Sequence, residues 1–255
     1  MQIIDQIKEE GYVLISIGDT SISERINKCI LATIGSDTDF LCSLDRLEWH
    51  DKVYKCQTHL NESGALADLI EKVGPNLEAI FRDRLAWVNV LKLRAVRPSS
   101  RINGVDHVPF HRESLYAVTP SQVKHQYNIW IPCTESATLS GLSYFPKSHL
   151  INDSDLSIIS QPDHPCKVDR FSHGHAIGFP YMPKSIENLP SIQSKRIEVP
   201  VGSLLLFSAM LIHGNGINHG GSIRYSVDTG VISNTVITEN QPLHAAGGKA
   251  HYLTH

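Results

Sequence analysis

The sequence has no long apolar run and no concentration of charge of one sign. Its longest nearly apolar stretch, Leu204 to Ile212, is far too short to cross a bilayer. Lysine and arginine are scattered and the formal net charge is −3, so we expect neither nucleic acid nor a membrane as a partner. The first residues lack a basic segment followed by an apolar one, so we expect no signal peptide.

Cysteine is sparse and shows no metal-binding or disulfide pattern. The five cysteines are widely spaced, and no Cys-x-x-Cys occurs. An odd number at wide spacing indicates free thiols and argues against a zinc site made of cysteines. Free thiols fit a reducing compartment, so a cytoplasmic location is predicted.

The sequence also lacks internal repeats and low-complexity tracts, and its 255 residues are 41% hydrophobic and 19% charged. This is ordinary globular composition, and we predict a single domain over residues 1–255. Residues 1–86 have apolar residues at helical spacing, for example Ile22, Ile26 and Ile30, with Ser21 or Ser23 as a cap. A later helical region, residues 62–84, contains Gly74-Pro75, where we expect a break or kink.

From residue 87 the apolar period becomes that of strands. Short candidate strands separated by Gly, Pro, Ser and Asn predict a mainly β core over residues 87–235 with flanking helices, folded as a double-stranded β-helix, or jelly roll. The candidates are Trp87–Pro98, His107–Val118, Val123–Cys133, Gly141–Phe145, Arg196–Val199, Gly202–His213 and Ser222–Ile232. Residues 152–194 hold five prolines and three histidines and are predicted to form a lid, and the tail 240–255 to be irregular.

The segment His111-Arg112-Glu113 is the strongest candidate for a metal site. Residues two apart on a strand share a face, so one strand can supply both a histidine and a carboxylate ligand. His213 follows an apolar strand and precedes a glycine-rich turn, where it can supply the third ligand. Two imidazoles and one carboxylate form the ligand set of mononuclear non-haem Fe(II) sites, which leaves other metal positions open.

Arg224 and Ser226 form an Arg-x-Ser pair eleven residues after His213. Both residues lie on one face of a strand, and a guanidinium can bind a carboxylate with two hydrogen bonds while the hydroxyl donates another. A structural ion pair is the alternative for Arg224 taken alone.

Other polar and aromatic residues leave alternatives open. Lys92 and Arg94 share a strand face and can reach a co-substrate carboxylate, although solvent or an acidic partner is the better interpretation. Trp130 and Tyr127 can line a pocket, although aromatic residues on strands more often belong to the core. In the lid, His173 and His175 are the rival ligand pair. Two further histidines, His107 and His125, have no evident partner.

These residues resemble the Fe(II)/2-oxoglutarate-dependent dioxygenases, and among them the phytanoyl-CoA dioxygenase-like group. That group carries His-x-Asp or Glu, a distal His, and an Arg about ten residues later. It also has a tryptophan-bearing strand, like Asn128–Pro132, and a glycine-rich turn leading to Pro-x-Ser-His, like Gly141–His149. One departure is Glu113, where Asp is commoner. Because a carboxylate is present, the related halogenases, which lack it, are disfavoured.

The resemblance implies that His111, Glu113 and His213 bind Fe(II). It also implies that 2-oxoglutarate chelates the metal. Its distal carboxylate would bind Arg224 and Ser226, and Trp130 would line the co-substrate site. Reaction with O2 would give succinate and CO2 and hydroxylate a small-molecule metabolite, or oxidise its C–H bond by desaturation or ring closure. The alternatives are a metal-binding cupin-like isomerase or epoxidase that does not need 2-oxoglutarate, and a non-catalytic binding module. The substrate and the oligomeric state are not predicted.

Overall fold

Helices make up most of the first third of the chain. The fold comes from a computed structural model, which describes residues 3–99, 106, 110–115, 117, 119–134, 140–160, 184–186, 193–237 and 251–253. The helices are α1 (Ile3–Glu10), α2 (Ser21–Ile34), α3 (Thr38–Ser43), α4 (Arg46–Glu62), α5 (Ala65–Phe81) and α6 (Pro120–Val123). Short 3-10 turns occur at Glu113–Leu115, Ser148–Leu150, Asp153–Asp155 and Asn234–Val236.

The helix ends differ in part from the prediction. Neither Ser21 nor Ser23 is the N-cap of α2, because Thr20 takes that position and its side chain does not cap the helix. Helix α4, which the apolar pattern did not predict, has a full capping box. The Asp45 carboxylate accepts from the Glu48 backbone N–H, and the Glu48 carboxylate accepts from the Asp45 N–H.

The predicted break at Gly74-Pro75 is wrong, because α5 runs through both residues. Its buried face, which includes Leu69, Val73 and Leu77, continues across this point. We attribute the continuity to this packing, which outweighs the backbone hydrogen bond that proline cannot make.

The strands are β1 (Tyr12–Ser16), β2 (Leu85–Val88), β3 (Lys92–Val96), β4 (Gln126–Pro132), β5 (Leu142–Tyr144), β6 (Ile158–Ser160), β7 (Lys184–Ile186), β8 (Lys195–Ile197), β9 (Ser203–Ser208), β10 (His213–Asn215), β11 (Arg224–Ser233) and β12 (Tyr252–Leu253). The main sheet has the order β1-β9-β4-β11-β2-β12, and β3 also pairs with β11. A second sheet has the order β10-β5-β8. The described pairings are all antiparallel.

The two faces of the main sheet pack against different layers. Tyr225, Val227 and Val231 of β11 belong to the large core shared with the helices. A smaller core joins the main sheet to the second sheet and contains Trp130, Leu142, Tyr144, Ile197, Val199, Leu205, Phe207 and Leu211. The predicted mainly β, jelly-roll class is confirmed, although the sheets do not close into a barrel. Because side chains alternate along β11, Arg224 and Ser226 lie on the inner face, toward the second sheet.

Two predicted strands are each divided in the structure. The stretch Trp87–Pro98 leaves the sheet between β2 and β3, where the Asn89 N–H donates to the His251 carbonyl and the Leu91 N–H to the Asn61 side chain. The stretch Gly202–His213 divides into β9 and β10, which belong to different sheets. A turn closed by the bond from the Leu211 N–H to the Ser208 carbonyl separates them.

The remaining differences concern the ligand segment, the lid and the tail. Where a strand was predicted over His107–Val118, His111 forms an isolated bridge and Glu113–Leu115 is a 3-10 turn, closed by the Leu115 N–H on the Arg112 carbonyl. The tail is not wholly irregular, because β12 pairs with β2. Within the lid, β6 pairs with β7, whereas residues 161–183 and 187–192 lie outside the described residues. No helix in the described part is long and apolar enough to cross a membrane.

Candidate metal centre

Three ligand-type side chains converge beside the inner face of the main sheet. One ligand atom each of His111, Glu113 and His213 lies within 4.8 Å of the other two. The Glu113 Oε1 is 4.0 Å from the Nε2 atom of each histidine. Atoms spaced in this way can surround one ion at bond lengths near 2 Å after small side-chain rotations. Among the residues that the structure describes, this is the one group of three found with such spacing.

Backbone hydrogen bonds hold the two histidines side by side. The N–H of His111 donates to the carbonyl of His213, and the N–H of His213 donates to the carbonyl of His111, both at 2.9 Å. The ring centroids are 4.4 Å apart. Glu113 is fixed separately, because its N–H donates to the Ala209 carbonyl at 3.0 Å. The remote segments therefore meet through main-chain contacts that do not need a metal.

His213 is prepared to bind metal through Nε2. Its Nδ1 lies 2.9 Å from the Leu211 carbonyl, which can only accept, so Nδ1 carries the proton and Nε2 keeps its lone pair. Burial lowers the pKa of His213, and Glu113 opposes this shift only in part. The imidazole is therefore neutral at neutral pH, as a ligand must be.

Arg224 is a buried cation with an unused donor. Its side chain is 1% exposed, and its Nη1 donates to the Ser226 hydroxyl at 2.5 Å. Its guanidinium carbon is 5.6 Å from the centre of the Trp130 ring. Arg224 Nε and Trp130 Nε1 are both buried without a hydrogen-bond partner among the described residues. Burial, with a smaller effect of Arg94, lowers the pKa of Arg224 to about 10, so it remains charged at neutral pH.

The arrangement therefore fits a bound carboxylate. Two unsatisfied buried donors on side chains in contact, one of them cationic, are costly unless an anion accepts from them. Trp130 lies two residues from Asn128 on the same face of β4, and the Asn128 amide is 3.5 Å from Glu113 Oε1. Arg224 and Trp130 thus share one face of the sheet with the cluster of His111, Glu113 and His213.

Arg94 has an acidic partner on the same face. Its Nε and Nη2 donate to the two carboxylate oxygens of Asp228 at 2.6 and 3.3 Å. Arg94 is opposite Ser226 in the strand register, and Lys92 is opposite Asp228. The interpretation of Arg94 as the partner of an acidic residue is therefore confirmed, and Asp228 is a site residue that the sequence did not reveal.

Arg112, which lies between two predicted ligands, is another residue of the site that the sequence did not reveal. It is fully buried, and its guanidinium donates to the carbonyls of Ser148 and Ile151 at 2.7 and 2.8 Å and to Asp153 at 2.9 Å. The Ser148 hydroxyl accepts from the Ile212 N–H at 2.8 Å. The segment Ser148–Asp153 therefore contacts both the His111–Glu113 segment and the residue before His213. The sequence signal that could have indicated these contacts was the Pro-x-Ser-His motif, which contains Ser148.

Some alternatives lie elsewhere. Tyr127 is not at the pocket, because it faces the helical layer and its ring centroid is 4.9 Å from that of Phe81. His125 is exposed and is not part of the cluster. His107, His173 and His175 lie outside the described residues.

Comparison with known families identifies the class of this protein. Residues 45–226 match the family described as Phytanoyl-CoA dioxygenase (PhyH). The match covers most of the chain, so the chain belongs to this family, and the predicted resemblance is confirmed. A search of curated proteins by sequence gave no match.

Solved structures share the fold at low identity. EvdO2 from Micromonospora carbonacea var. aurantiaca is 12% identical with a TM-score of 0.58, over 90% of this chain and 89% of that one. The non-heme monooxygenase ThoJ is 12% identical with a TM-score of 0.51, over 96% and 84%. The epimerase SnoN, in complex with Fe3+, alpha ketoglutarate and nogalamycin RO, is 13% identical with a TM-score of 0.50, over 91% and 83%.

Proposed function

We propose that this protein is a non-haem Fe(II)- and 2-oxoglutarate-dependent oxygenase that oxidises a C–H bond of a small-molecule metabolite. Membership of the phytanoyl-CoA dioxygenase family supports the class. The observation that carries the residue assignment is the buried Arg224, with an unused donor, on the same sheet face as the two-histidine, one-carboxylate cluster. A buried cation able to bind a co-substrate carboxylate favours this proposal over an isomerase that does not use 2-oxoglutarate.

In this proposal His111, Glu113 and His213 would hold Fe(II), because two imidazoles and one carboxylate are a ligand set that suits this ion. The bound iron supplies the oxidising chemistry, with 2-oxoglutarate converted to succinate and CO2. SnoN, a relative in fold, has been solved with Fe3+ and alpha ketoglutarate, which supports these groups as cofactors here.

The residues of the chain bind and orient the co-substrate. Arg224 would bind its distal carboxylate through charge-assisted hydrogen bonds, with Trp130 Nε1 as a second donor. The Ser226 hydroxyl already accepts from Arg224, so its own proton is available to the same carboxylate. The ring of Trp130 excludes water from one side of this site, which strengthens each of these contacts.

The first test is co-substrate turnover by the purified protein. We expect Fe(II)-dependent formation of succinate from 2-oxoglutarate under O2, and its loss in His111→Ala, Glu113→Ala and His213→Ala with little change in thermal unfolding. Retained turnover in any of the three would show that the ligand set is misassigned.

The second test separates co-substrate binding from metal binding. Arg224→Ala should raise the half-saturating 2-oxoglutarate concentration at least about tenfold, because a buried charge-assisted pair is worth more than 1.4 kcal/mol. Arg84→Ala is the matched control, because Arg84 is a surface residue paired with Glu78. An unchanged half-saturation point in Arg224→Ala would remove this residue from its assigned role.

Hydroxylation is the outcome that we propose for the oxidised C–H bond. The relatives in fold include a protein named as an epimerase and one named as a monooxygenase, so oxidation has more than one outcome in this fold. Once a substrate is found, a product heavier by one oxygen atom identifies hydroxylation, and one of unchanged mass identifies epimerisation.

A further inference from the structure

A chain of side-chain hydrogen bonds links the C-terminal strand to Glu113. The Tyr252 hydroxyl donates to Gln126 Oε1 at 2.7 Å, and Gln126 Nε2 donates to Asn128 Oδ1 at 2.8 Å. Asn128 Nδ2 then donates to Glu113 Oε1 at 3.5 Å, the longest and weakest of the three. Residues more than a hundred positions apart in sequence thus form one line of contacts.

The chemistry of these groups allows one direction only. The ionised Glu113 carboxylate has no proton to donate, so Asn128 must present its amino group to it. The Asn128 carbonyl oxygen then faces Gln126, which must present its own amino group in turn. This leaves the Gln126 carbonyl oxygen to accept from Tyr252. Every bond therefore donates toward Glu113, and bonds aligned in this way polarise one another in a buried setting.

The backbone makes room for this chain of bonds. Gln126 and Asn128 are 6% and 7% exposed. Gly230 lies opposite Asn128 on β11, and a Cβ there would be 2.9 Å from Gln126 Nε2 and 2.9 Å from Val88 Cγ2. Any residue other than glycine at this position would displace the Gln126 amide or the Val88 side chain of β2.

The Tyr252 end is fixed independently of the metal cluster. Tyr252 is opposite Val88 in the pairing of β12 with β2. The preceding residue, His251, makes two hydrogen bonds with Asn89, one to its backbone and one to its side chain. Its N–H donates to Asn89 Oδ1, and its carbonyl accepts from the Asn89 N–H, both at 2.9 Å. The hydroxyl of Tyr252 is thus held in place by the sheet.

We propose that Tyr252 is a positioning residue for Glu113, acting through Gln126 and Asn128. The hydrogen-bond chain fixes the rotation of the Glu113 carboxylate, so the C-terminal strand contributes to the affinity of the metal centre. This inference rests on the proposed function, because it takes Glu113 to be a metal ligand.

The test measures metal affinity rather than turnover. Tyr252→Phe removes only the hydroxyl, and anaerobic titration with Co(II), followed by its visible absorption, reports both affinity and coordination geometry. Changes directly behind a metal ligand cost 10–100-fold in affinity. Tyr252 acts through two further side chains, so we expect a loss of about 3–10-fold with an altered spectrum.

Tyr12→Phe is the matched control. Tyr12 also has a hydroxyl bonded to a side chain, that of Tyr144, but it lies on β1 at the other edge of the main sheet. Its Co(II) affinity should equal that of the wild type.

Gln126→Met provides a second break in the same chain of bonds. The double variant should bind Co(II) with the same affinity as Gln126→Met alone, because the break at Gln126 already disconnects Tyr252 from Glu113. Multiplying losses in the double variant, or a Tyr252→Phe affinity within twofold of the wild type, would overturn the positioning role while the proposed function stood. Absence of Co(II) binding by the wild type would overturn both.

Discussion

At the residue scale, Arg224 combines a function with a cost to stability. A buried guanidinium keeps its charge, yet its Nε has no partner in the described part of the chain. Such a group destabilises a folded protein until an anion binds. The protein without co-substrate therefore carries strain of electrostatic origin at the place where 2-oxoglutarate is proposed to bind.

Replacing this charge should separate stability from binding. We expect Arg224→Met to raise the unfolding free energy of the protein without co-substrate by about 1–3 kcal/mol, as found when buried charged groups give way to apolar ones. The same variant should lose the rise in melting temperature that 2-oxoglutarate gives the wild type. Calorimetry with and without the co-substrate measures both. A less stable methionine variant would mean that Arg224 supports the fold by itself.

At the element scale, the segment Ser148–Asp153 holds the two ligand-bearing segments together. Ser148 accepts from the N–H of Ile212 through its hydroxyl and from Arg112 through its carbonyl. Both groups are buried, so the contacts cannot be replaced by water at the surface. The position of His213 relative to His111 thus depends on a third stretch of chain that supplies no ligand.

Removing the Ser148 hydroxyl should weaken the fold and the metal centre together. Ser148→Ala leaves the Ile212 N–H buried without its acceptor, which costs about 1–3 kcal/mol. We expect urea unfolding to report this loss, and anaerobic Co(II) titration to report weaker binding. The control is Ser43→Ala on α3, where the hydroxyl bonds to the Phe40 carbonyl in an exposed turn. Wild-type metal affinity in Ser148→Ala would limit Ser148 to a purely structural role.

The sequence predicted elements whose signal is local, and it failed where contacts are distant. The apolar period of α2 and the alternation along β11 were sufficient to place both elements. The break between β2 and β3 depends on Asn61 and His251, which are remote in sequence, and no local pattern contains it.

The candidate site followed the same rule. His111, Glu113, His213, Arg224 and Ser226 occur in short motifs, and the structure brings the three ligand candidates together. Asp228, Gln126 and Tyr252 do not occur in such motifs, because strand register sets their position on the sheet. The segment with Glu113 also forms a turn rather than a regular strand, since its N–H bonds to Ala209 of another segment.

At the scale of the whole molecule, two neutral histidines, the partly buried His50 and the buried His213, predict how stability depends on pH. Burial lowers the pKa of His50 to about 4, and the nearby Asp106 opposes this only in part. Burial also lowers the pKa of His213. Below pH 6.5 the unfolded chain takes up protons that the folded protein does not. The contribution of these two histidines to the free energy of unfolding is therefore complete above pH 6.5 and is lost as the pH falls toward 4.

We expect the urea midpoint of the metal-free protein to fall between pH 6.5 and 4. The contribution of His50 is up to about 3 kcal/mol at 1.36 kcal/mol per pKa unit. His50→Gln should flatten the profile in this interval, whereas substitution of the exposed His125 should leave it unchanged. A midpoint that does not vary with pH in the wild type would contradict the assignment of a partly buried, neutral His50.

The main sheet begins at β1 and ends at β12, which come from opposite ends of the described chain. Strand β1 pairs with β9, and β12 pairs with β2. Without these partners, the backbone N–H and C=O groups of β9 and β2 could pair with another molecule. Loss of either terminal segment would therefore expose a strand able to recruit a second copy, and we expect truncated forms to self-associate. Affinity tags and fusions are best joined through a spacer that leaves these two strands paired.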